Sequence, residues 1–227
     1  MNIMKDIKEE RLIMKNNENR EICSKCRGIC CRRMPGQYVP DDLFDHEMTK
    51  EELKKFISEV GNISIDCWEG DEESGYESYY YLRPMRRKLT LEEAKRNVIM
   101  IDEKDPDNLS LEDQEKIAGV WANILSYSIK NFRNQDLTVD YGYNEFVLVC
   151  CHLTENGCDL KFDKRPTNCK ELIPGRDTEC YIEGLSEDDS AKLYYAKKWE
   201  KYNDMLYDIA CEIEFGKDYK EYIGEEE

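Results

Sequence analysis

Four cysteines fall within nine residues near the N-terminus, in the string CSKCRGICC. They are Cys23, Cys26, Cys30 and Cys31. Four more follow far along the chain, at Cys150, Cys151, Cys158 and Cys169. Clustered thiols of this kind are typical ligands of zinc and of iron–sulfur clusters. A C-x2-C turn lets two sulfurs converge on one ion, whereas the side chains of adjacent cysteines in an extended stretch diverge.

The number of thiols limits the centres that they can form. A closed zinc site takes four ligands, and a four-cysteine cluster also takes four. If all of these cysteines bind metal, the chain holds two zinc sites, two clusters or one of each. The full count of 11 cysteines is odd, so a fully paired disulfide framework would leave one thiol over.

Positive charge gathers beside both cysteine groups, although the chain carries a net charge of −17. Residues 20–33 contain five basic residues and one acidic residue, and residues 161–176 contain five basic and two acidic residues. Cations stabilise the negative charge of metal-bound thiolates and lower the pKa of free thiols. The pattern favours metal thiolates, and a chance offset of the acidic composition stays open as the alternative.

The two cysteine strings resemble a known family. CSKCRGICCRR, followed by CCHLTENGCDLKFDKRPTNCKELIP over residues 150–174, is similar to the CxxCxxCC proteins of the YkgJ type, described as zinc- or iron-chelating domains. The shared features are C-x-x-C-x-G-x-C-C, a C-x-x-L, an Arg-Pro pair and a cysteine before a proline. A weaker resemblance extends to flagellin lysine N-methylases.

The resemblance implies that both strings supply metal ligands. In the first string the matching positions are Cys23, Cys26, Cys30 and Cys31. In the second string they are Cys158 and Cys169, with Cys150 as the cysteine of the C-x-x-L. Cys151 is then an additional thiol, either a further ligand or a small buried residue.

Two functions follow from this interpretation. In the first, the cysteines hold an iron–sulfur cluster or another iron centre, and the protein has a redox or protein-modifying role with a protein partner or protein substrate. In the second, the metal is structural zinc and the chain is an adaptor module without catalytic activity. Whether the chain is an enzyme, how many metal centres it holds and which oligomeric state it adopts stay open.

Charge and hydropathy exclude several classes of protein. A chain with a net charge of −17 and a pI near 4.7 is a poor ligand for nucleic-acid backbones or anionic lipid surfaces. No secretory signal and no apolar run of about 18 residues is recognisable. We therefore expect neither nucleic acid nor membrane as a partner, and a cytoplasmic location, where thiols stay reduced.

The remaining candidates are weaker. His152 lies among the second group of cysteines, and a packed or exposed role is favoured over metal ligation. His46 has no partner at ligand spacing. Cys67, Cys180 and Cys211 stand apart from the two groups and are expected to be small buried residues. No nucleotide-binding or hydrolase motif occurs.

Hydrophobic periodicity predicts several helices and little sheet. Helices are expected over 5–17, 50–60, 91–101, 111–132 and 186–214, and a strand or hairpin over 137–151. Thr49 and Glu52 form a capping-box pattern, and Gly61 ends the same helix. Residues 66–88 are interpreted as a loop with a short strand at 79–82. The apolar stripe of the 111–132 helix is expected to be core.

The predicted fold class is mainly α with minor β, as one domain over 1–227. An irregular, cysteine-rich metal-binding core is expected to be surrounded by helices. Residues 40–149 form a helical insertion between the two cysteine strings, and this insertion is longer than we expect for the family.

Overall fold

The structure is a computed structural model. It describes residues 31–32, 36–70, 77–101, 104–131, 138–140, 146–155, 157–173, 181–182, 191–217 and 219–220. The predicted helix over 5–17 and the cysteines Cys23, Cys26, Cys30 and Cys180 lie outside these residues.

The helices of the described part are named in chain order. They are α1 (Pro40–Leu43), α2 (Lys50–Val60), α3 (Leu91–Ile101), α4 (Leu111–Asn131), α5 (Thr167–Glu171), α6 (Ala191–Ala196) and α7 (Asn203–Phe215). Short 3-10 helices lie at Pro106–Asn108, Phe162–Lys164 and Lys197–Tyr202.

The strands of the described part form antiparallel pairs. They are β1 (Ile63–Trp68), β2 (Tyr79–Pro84), β3 (Arg86–Lys88), β4 (Leu148–Cys150), β5 (Leu153–Thr154), β6 (Gly157–Cys158), β7 (Leu172–Ile173) and β8 (Tyr181–Ile182). β1 pairs with β2, β3 with β4, β5 with β6 and β7 with β8. The chain is therefore mainly α with small antiparallel sheets, as the sequence predicts.

The capped helix α2 has the predicted bounds. The Thr49 hydroxyl accepts the Glu52 backbone N–H at 3.3 Å, and the Glu52 carboxylate accepts the Thr49 N–H at 2.9 Å. Gly61 follows with a φ of 61°, a conformation that glycine adopts at little cost. Helix α3 also has the predicted bounds, and Thr90 and Glu93 exchange the same pair of bonds at its start.

The short strand predicted at 79–82 is confirmed as part of β2, but the loop predicted for the rest of 66–88 is wrong at 66–68, which end β1, and at 86–88, which form β3. Asp66 of β1 lies opposite Tyr81 of β2. Backbone bonds extend this sheet on both edges, because Tyr38 N–H donates to Leu82 O at 3.0 Å and Asp140 N–H donates to Ile65 O at 2.8 Å. Consecutive charged and aromatic side chains hid the strands, since β1 and β2 are buried on both faces and lack a clean polar alternation.

A first core packs α2 and the β1–β2 sheet against α6, α7 and the 3-10 turn between them. Its buried members include Leu53, Ile57, Ile65, Leu82, Trp199, Leu206 and Ile209. The predicted insertion of 40–149 thus shares its core with the C-terminal helices, and it contains three strands as well as helices. The single continuous helix predicted over 186–214 is wrong in its middle, where Lys197–Tyr202 is a 3-10 helix.

A second core lies between α3, α4 and β4. Its buried members are Leu89, Ala94, Val98, Leu125, Val147, Leu148, Val149, Cys150 and Leu153. The prediction that the whole apolar stripe of α4 is core is only partly right. Leu125 is buried and Trp121 and Ile129 pack against the second core, but Val120 is 77% exposed and Ile124 is 42% exposed.

In the ranges given above, none of the helices combines the length and the apolar character that crossing a bilayer requires.

Candidate functional site

The second group of cysteines lies on neighbouring short elements. Cys150 ends β4, Cys151 follows it directly, Cys158 ends β6 and Cys169 lies within α5. Cys150 is buried, and the other three are half-buried. No disulfide joins any two of the cysteines that the structure describes. These thiols are therefore close to the surface but largely protected from solvent.

Two contacts connect this group with the chain that follows the first cysteine string. Cys31 packs against the second core, of which Cys150 is a buried member. Arg32 donates to the Asn97 side chain of α3 at 3.3 Å. The chain leaving the first string is thereby held beside β4.

Gly36 lies directly against Cys169. A Cβ atom at Gly36 would stand 2.0 Å from the Cys169 sulfur and 3.4 Å from the Pro166 Cβ. A side chain at position 36 would force the Cys169 sulfur to move, and glycine avoids this. Gly36 therefore allows a close approach of the backbone to a thiol.

Strand pairing fixes the backbone of the second cysteine group. Arg86 lies opposite Cys150 in the β3–β4 pair, and Leu153 lies opposite Cys158 in the β5–β6 pair. The Cys151 N–H donates to the Met85 carbonyl at 2.9 Å. These pairs turn Cys150 into the second core and leave Cys151 closer to the surface.

The adjacent thiols Cys150 and Cys151 have opposite electrostatic environments. The hydrogen bond that Cys150 donates to Cys151, and then the burial of the side chain, raise the pKa of the Cys150 thiol. The same bond lowers the pKa of Cys151. Burial raises the pKa of Cys158, against an opposing effect of the Arg165 charge. Of the vicinal pair, Cys151 is the one that more readily becomes a thiolate.

Tyr38 lies close to three of these cysteines. Burial, and then the charges of Cys150, Cys169 and Cys151, raise the pKa of its phenol. Its backbone is held by two hydrogen bonds. The Tyr38 N–H donates to the Leu82 carbonyl at 3.0 Å, and the Tyr38 carbonyl accepts the Trp199 indole N–H at 2.7 Å. A neutral phenol is thus fixed among the thiols.

Asp42 clamps α5, the helix that carries Cys169. Its carboxylate, 7% exposed, accepts the Thr167 N–H, the Thr167 hydroxyl and the Lys170 ammonium, each at 2.7 Å. Charge-assisted bonds of this kind are among the stronger hydrogen bonds in proteins. The acid is therefore a positioning group for the Cys169 segment.

Gln37 contributes an unsatisfied acceptor beside α5. Gln37 is 2% exposed, and its side-chain Nε2 donates to the Lys192 carbonyl at 3.0 Å. The backbone carbonyl of Gln37 accepts the Asn168 N–H at 3.4 Å. Within the ranges that the structure describes, the Gln37 Oε1 has no hydrogen-bond partner.

A buried ionic network connects the β1–β2 sheet with β3. Arg83 Nε donates to Asp66 at 2.8 Å, and its NH2 lies 2.8 Å from Asp140 Oδ2. Arg86 donates to both carboxylate oxygens of Asp140, at 2.7 and 2.5 Å, and Tyr81 donates to Asp66 at 2.5 Å. All of these residues are less than a tenth exposed. The network joins β1, β2, β3 and the 138–140 segment.

A shallow groove runs along one side of α5. It has a volume of about 330 Å³ and is lined by Val39, Pro40, Asp41, Thr167, Glu171, Tyr194, Tyr195 and Lys198. A second groove of about 520 Å³ continues from it, because both share Pro40, Asp41 and Lys198. Cys169 therefore lies on a helix that borders an open surface channel.

The histidines and isolated cysteines take the secondary roles that the sequence favoured. His152 is 14% exposed in its side chain and is paired with Asp159 at 2.9 Å, and His46 is an exposed partner of Asp45. Cys67 and Cys211 are buried. None of these residues extends the group formed by Cys151, Cys158 and Cys169.

The described residues alone do not form a finished metal site. Among them, no three histidine, cysteine, aspartate or glutamate side chains are arranged so that they could hold one ion. The donor chemistry nevertheless suits a soft metal, because Cys151, Cys158 and Cys169 are half-buried thiols without a disulfide. A complete site would need further ligands, and Cys23, Cys26 and Cys30 precede the anchored Cys31 directly.

The fold and this site define a mainly α chain with a half-buried group of thiols next to an apolar core. In comparisons with known proteins, no family model, no curated protein and no solved structure matches the chain.

Sequence reasoning missed Tyr38, Asp42, Arg83 and Arg86. No local signal could have found Asp42, because its partners Thr167 and Lys170 are 125 and 128 positions away. The arginines had a weak signal, since two of them interrupt an apolar and aromatic stretch in YYYLRPMRR.

Proposed function

We propose that the chain is a metal-binding protein whose centre takes thiolates from both cysteine strings. A centre of this kind takes four thiolates, which come from among seven candidates: Cys23, Cys26, Cys30 and Cys31 in the first string and Cys151, Cys158 and Cys169 in the second. Cys150 is the least suitable thiol, because it is 5% exposed and faces the second core.

One observation carries this proposal. The backbone that follows the first string passes so close to Cys169 that a Cβ atom at position 36 would stand 2.0 Å from the Cys169 sulfur. Cys31 packs against the same core as Cys150. Two strings separated by more than a hundred residues thus approach each other at their ends, as a shared centre requires.

The second string does not form a complete ligand set among the described residues, and we propose that the first string supplies the missing ligands. Metal affinity should then depend on cysteines more than a hundred positions apart, and binding should order the two strings together.

We propose an iron–sulfur cluster, or another iron centre, as the bound group. Partly exposed thiols beside cationic side chains suit a negatively charged cluster, which would supply one-electron redox chemistry when bound. The chain's own residues hold the ligands, keep a neutral phenol nearby and border an open groove for a protein partner or substrate. The alternative is structural zinc in an adaptor module, which the same thiols also suit.

Purification without oxygen, followed by metal analysis, tests both forms of the proposal. Brown protein with iron and sulfide in fixed ratio to the chain, and broad absorption near ~400 nm, supports the iron–sulfur form. Colourless protein with stoichiometric zinc supports the adaptor form. Protein that holds no metal after reconstitution with either iron and sulfide or zinc would contradict both.

Replacing Cys26 by serine should remove most of the bound metal, because we propose Cys26 as one of its ligands. Metal is measured by mass spectrometry on anaerobically purified protein. Cys67→Ser is the matched control, since Cys67 is a buried thiol of β1 away from the site. Unchanged metal content in Cys26→Ser would show that the first string is not a ligand source.

Exposure predicts which thiol of the vicinal pair binds metal. Cys151→Ser should lose metal, whereas Cys150→Ala should keep it, because Cys150 faces the apolar second core. Cys150→Ala should instead lower the free energy of unfolding by roughly 1 kcal/mol through a small cavity. The reverse pattern, with metal lost only on replacement of Cys150, would assign the ligand to Cys150.

A further inference from the structure

Tyr38 projects toward the sulfur of Cys169. Gly36, two residues before Tyr38, lies so close to this sulfur that an added Cβ would stand 2.0 Å from it. Residues 36–38 belong to no helix or turn, and Val39 follows with the extended angles φ −104° and ψ 158°. Side chains two positions apart in an extended segment point to the same side. The side chain of Tyr38 therefore leaves the backbone on the side where the Cys169 sulfur lies.

The phenol of Tyr38 also lies near the vicinal pair of thiols. After burial, the charges of Cys150, Cys169 and Cys151 raise its pKa, in that order of effect. Cys150 ends β4 and Cys169 lies within α5, so thiols of two separate elements act on one hydroxyl. Because the phenol keeps its proton at neutral pH, it is a hydrogen-bond donor there.

The hydroxyl is the part of Tyr38 that the rest of the fold does not use. The residue is 7% exposed and its ring belongs to the first core. Within the described ranges, its hydrogen bonds are made by the backbone, to Leu82 and Trp199. A buried hydroxyl without an acceptor is costly. A thiolate beside it would be a suitable acceptor.

We propose that the Tyr38 hydroxyl donates a hydrogen bond to the metal-bound thiolate of Cys169. This inference rests on the function proposed above. Hydrogen bonds to ligand sulfurs stabilise the negative charge of a metal–thiolate centre, and they help to set the reduction potential of iron–sulfur clusters. Tyr38 is then not a ligand but a positioning residue, which acts on the centre through one of its ligands.

Cys169 is the best acceptor among the three nearby thiols. Cys150 is 5% exposed, faces the second core and donates its own hydrogen bond to Cys151. The Cys151 sulfur already accepts that bond. The Cys169 sulfur lies against Gly36, on the side to which Tyr38 projects.

Cobalt(II), bound by the full-length protein without oxygen, tests the hydrogen bond, because this ion binds the same thiolate sites as other divalent metals. Its sulfur-to-metal charge-transfer absorption moves to longer wavelength when a ligand sulfur loses a hydrogen bond and holds its electrons less tightly. Tyr38→Phe keeps the ring and removes the hydroxyl. This variant should bind cobalt in the same ratio as the wild type and absorb at longer wavelength. If the centre is an iron–sulfur cluster, the variant should also have a more negative reduction potential.

Tyr202→Phe is the matched control. Tyr202 is 6% exposed in the same core, and its hydroxyl accepts the Met48 N–H at 3.4 Å. It should leave the spectrum and the potential unchanged. In cobalt-loaded Cys169→Ser, adding Tyr38→Phe should cause no further shift, whereas a further shift would assign the bond to another thiolate and overturn the choice of Cys169.

Two results would overturn the inference while the proposed metal binding stands. One is cobalt-loaded Tyr38→Phe with the spectrum of the wild type, and the other is an equal shift in Tyr202→Phe. Wild-type protein that binds neither cobalt nor a cluster would contradict the proposed function, and the inference with it.

Discussion

Replacing Asp140 by asparagine is expected to lower the free energy of unfolding by about 3–5 kcal/mol, the usual cost of breaking a buried ion pair by removing one partner. Asp140 binds Arg86 through both carboxylate oxygens and lies 2.8 Å from Arg83. Both guanidinium groups are about 2% exposed. Without the carboxylate, the buried Arg86 would lose both of these charge-assisted bonds, and Arg83 would keep its bond to Asp66. Urea unfolding at neutral pH measures the loss.

The pH dependence of stability provides a second measurement on Asp140. Its hydrogen bonds to Arg86 and the charges of both arginines hold its pKa well below the ordinary value, against the opposing effect of burial. A carboxyl group with a depressed folded-state pKa stabilises the fold above the pKa of the unfolded chain, about 4, and this stabilisation is lost as the pH falls. The stability difference between the wild type and Asp140→Asn should therefore shrink as the pH falls below about 4.

Glu59→Gln is the control for Asp140→Asn. Glu59 forms an exposed i,i+4 pair with Lys55 at 3.8 Å, and pairs of this kind contribute about 0.3–0.5 kcal/mol. An Asp140 variant that is no less stable than Glu59→Gln would mean that the arginines find other partners and that the network does not hold β3 in place.

Replacing Gly36 by alanine is expected to displace the Cys169 sulfur. The new Cβ would stand 2.0 Å from that atom, far inside the contact distance of about 3.5–4 Å. The sulfur ends a side chain with one rotatable bond, so it turns away more easily than backbone moves. We expect a loss of about 1–3 kcal/mol in unfolding free energy and a loss of metal in the loaded protein.

A double-mutant cycle isolates this contact. In a Cys169→Ala background the sulfur is gone, and the nearest remaining atoms are the Cβ atoms of residue 169 and of Pro166, both at 3.4 Å. Gly36→Ala should then cost little. The coupling between the two positions, measured on metal-free protein, should lie within the range of about 0.5–3 kcal/mol found for touching residues. An equal cost of Gly36→Ala in both backgrounds would disprove the contact.

Gly119→Ala is the matched control for the glycine. A Cβ at Gly119 meets nothing within 4 Å, and the position lies inside α4, where alanine is favoured over glycine by up to about 1 kcal/mol. This variant should be as stable as the wild type or more so, with unchanged metal content. A loss like that of Gly36→Ala would point to a general effect of added side chains.

Local signals in the sequence were sufficient for α2 and α3. The capping box of Thr49 and Glu52 and the stop at Gly61 act within a few residues, so α2 is predictable from its own segment. The same holds for α3. The cysteine strings predict metal–thiolate chemistry by residue type and spacing alone.

Only the tertiary structure decided which distant residues are in contact and which side chains are buried. The strands β1 and β2 exist because their partners, the Tyr38 and Asp140 segments, complete the sheet on both edges. Val120 is exposed and Leu125 buried on the same apolar helix, because the second core covers only one side of α4. The clamp of Asp42 on α5 and the fit of Gly36 against Cys169 join positions more than 120 residues apart. Such contacts depend on the packing of the whole chain, and no short stretch of sequence encodes them.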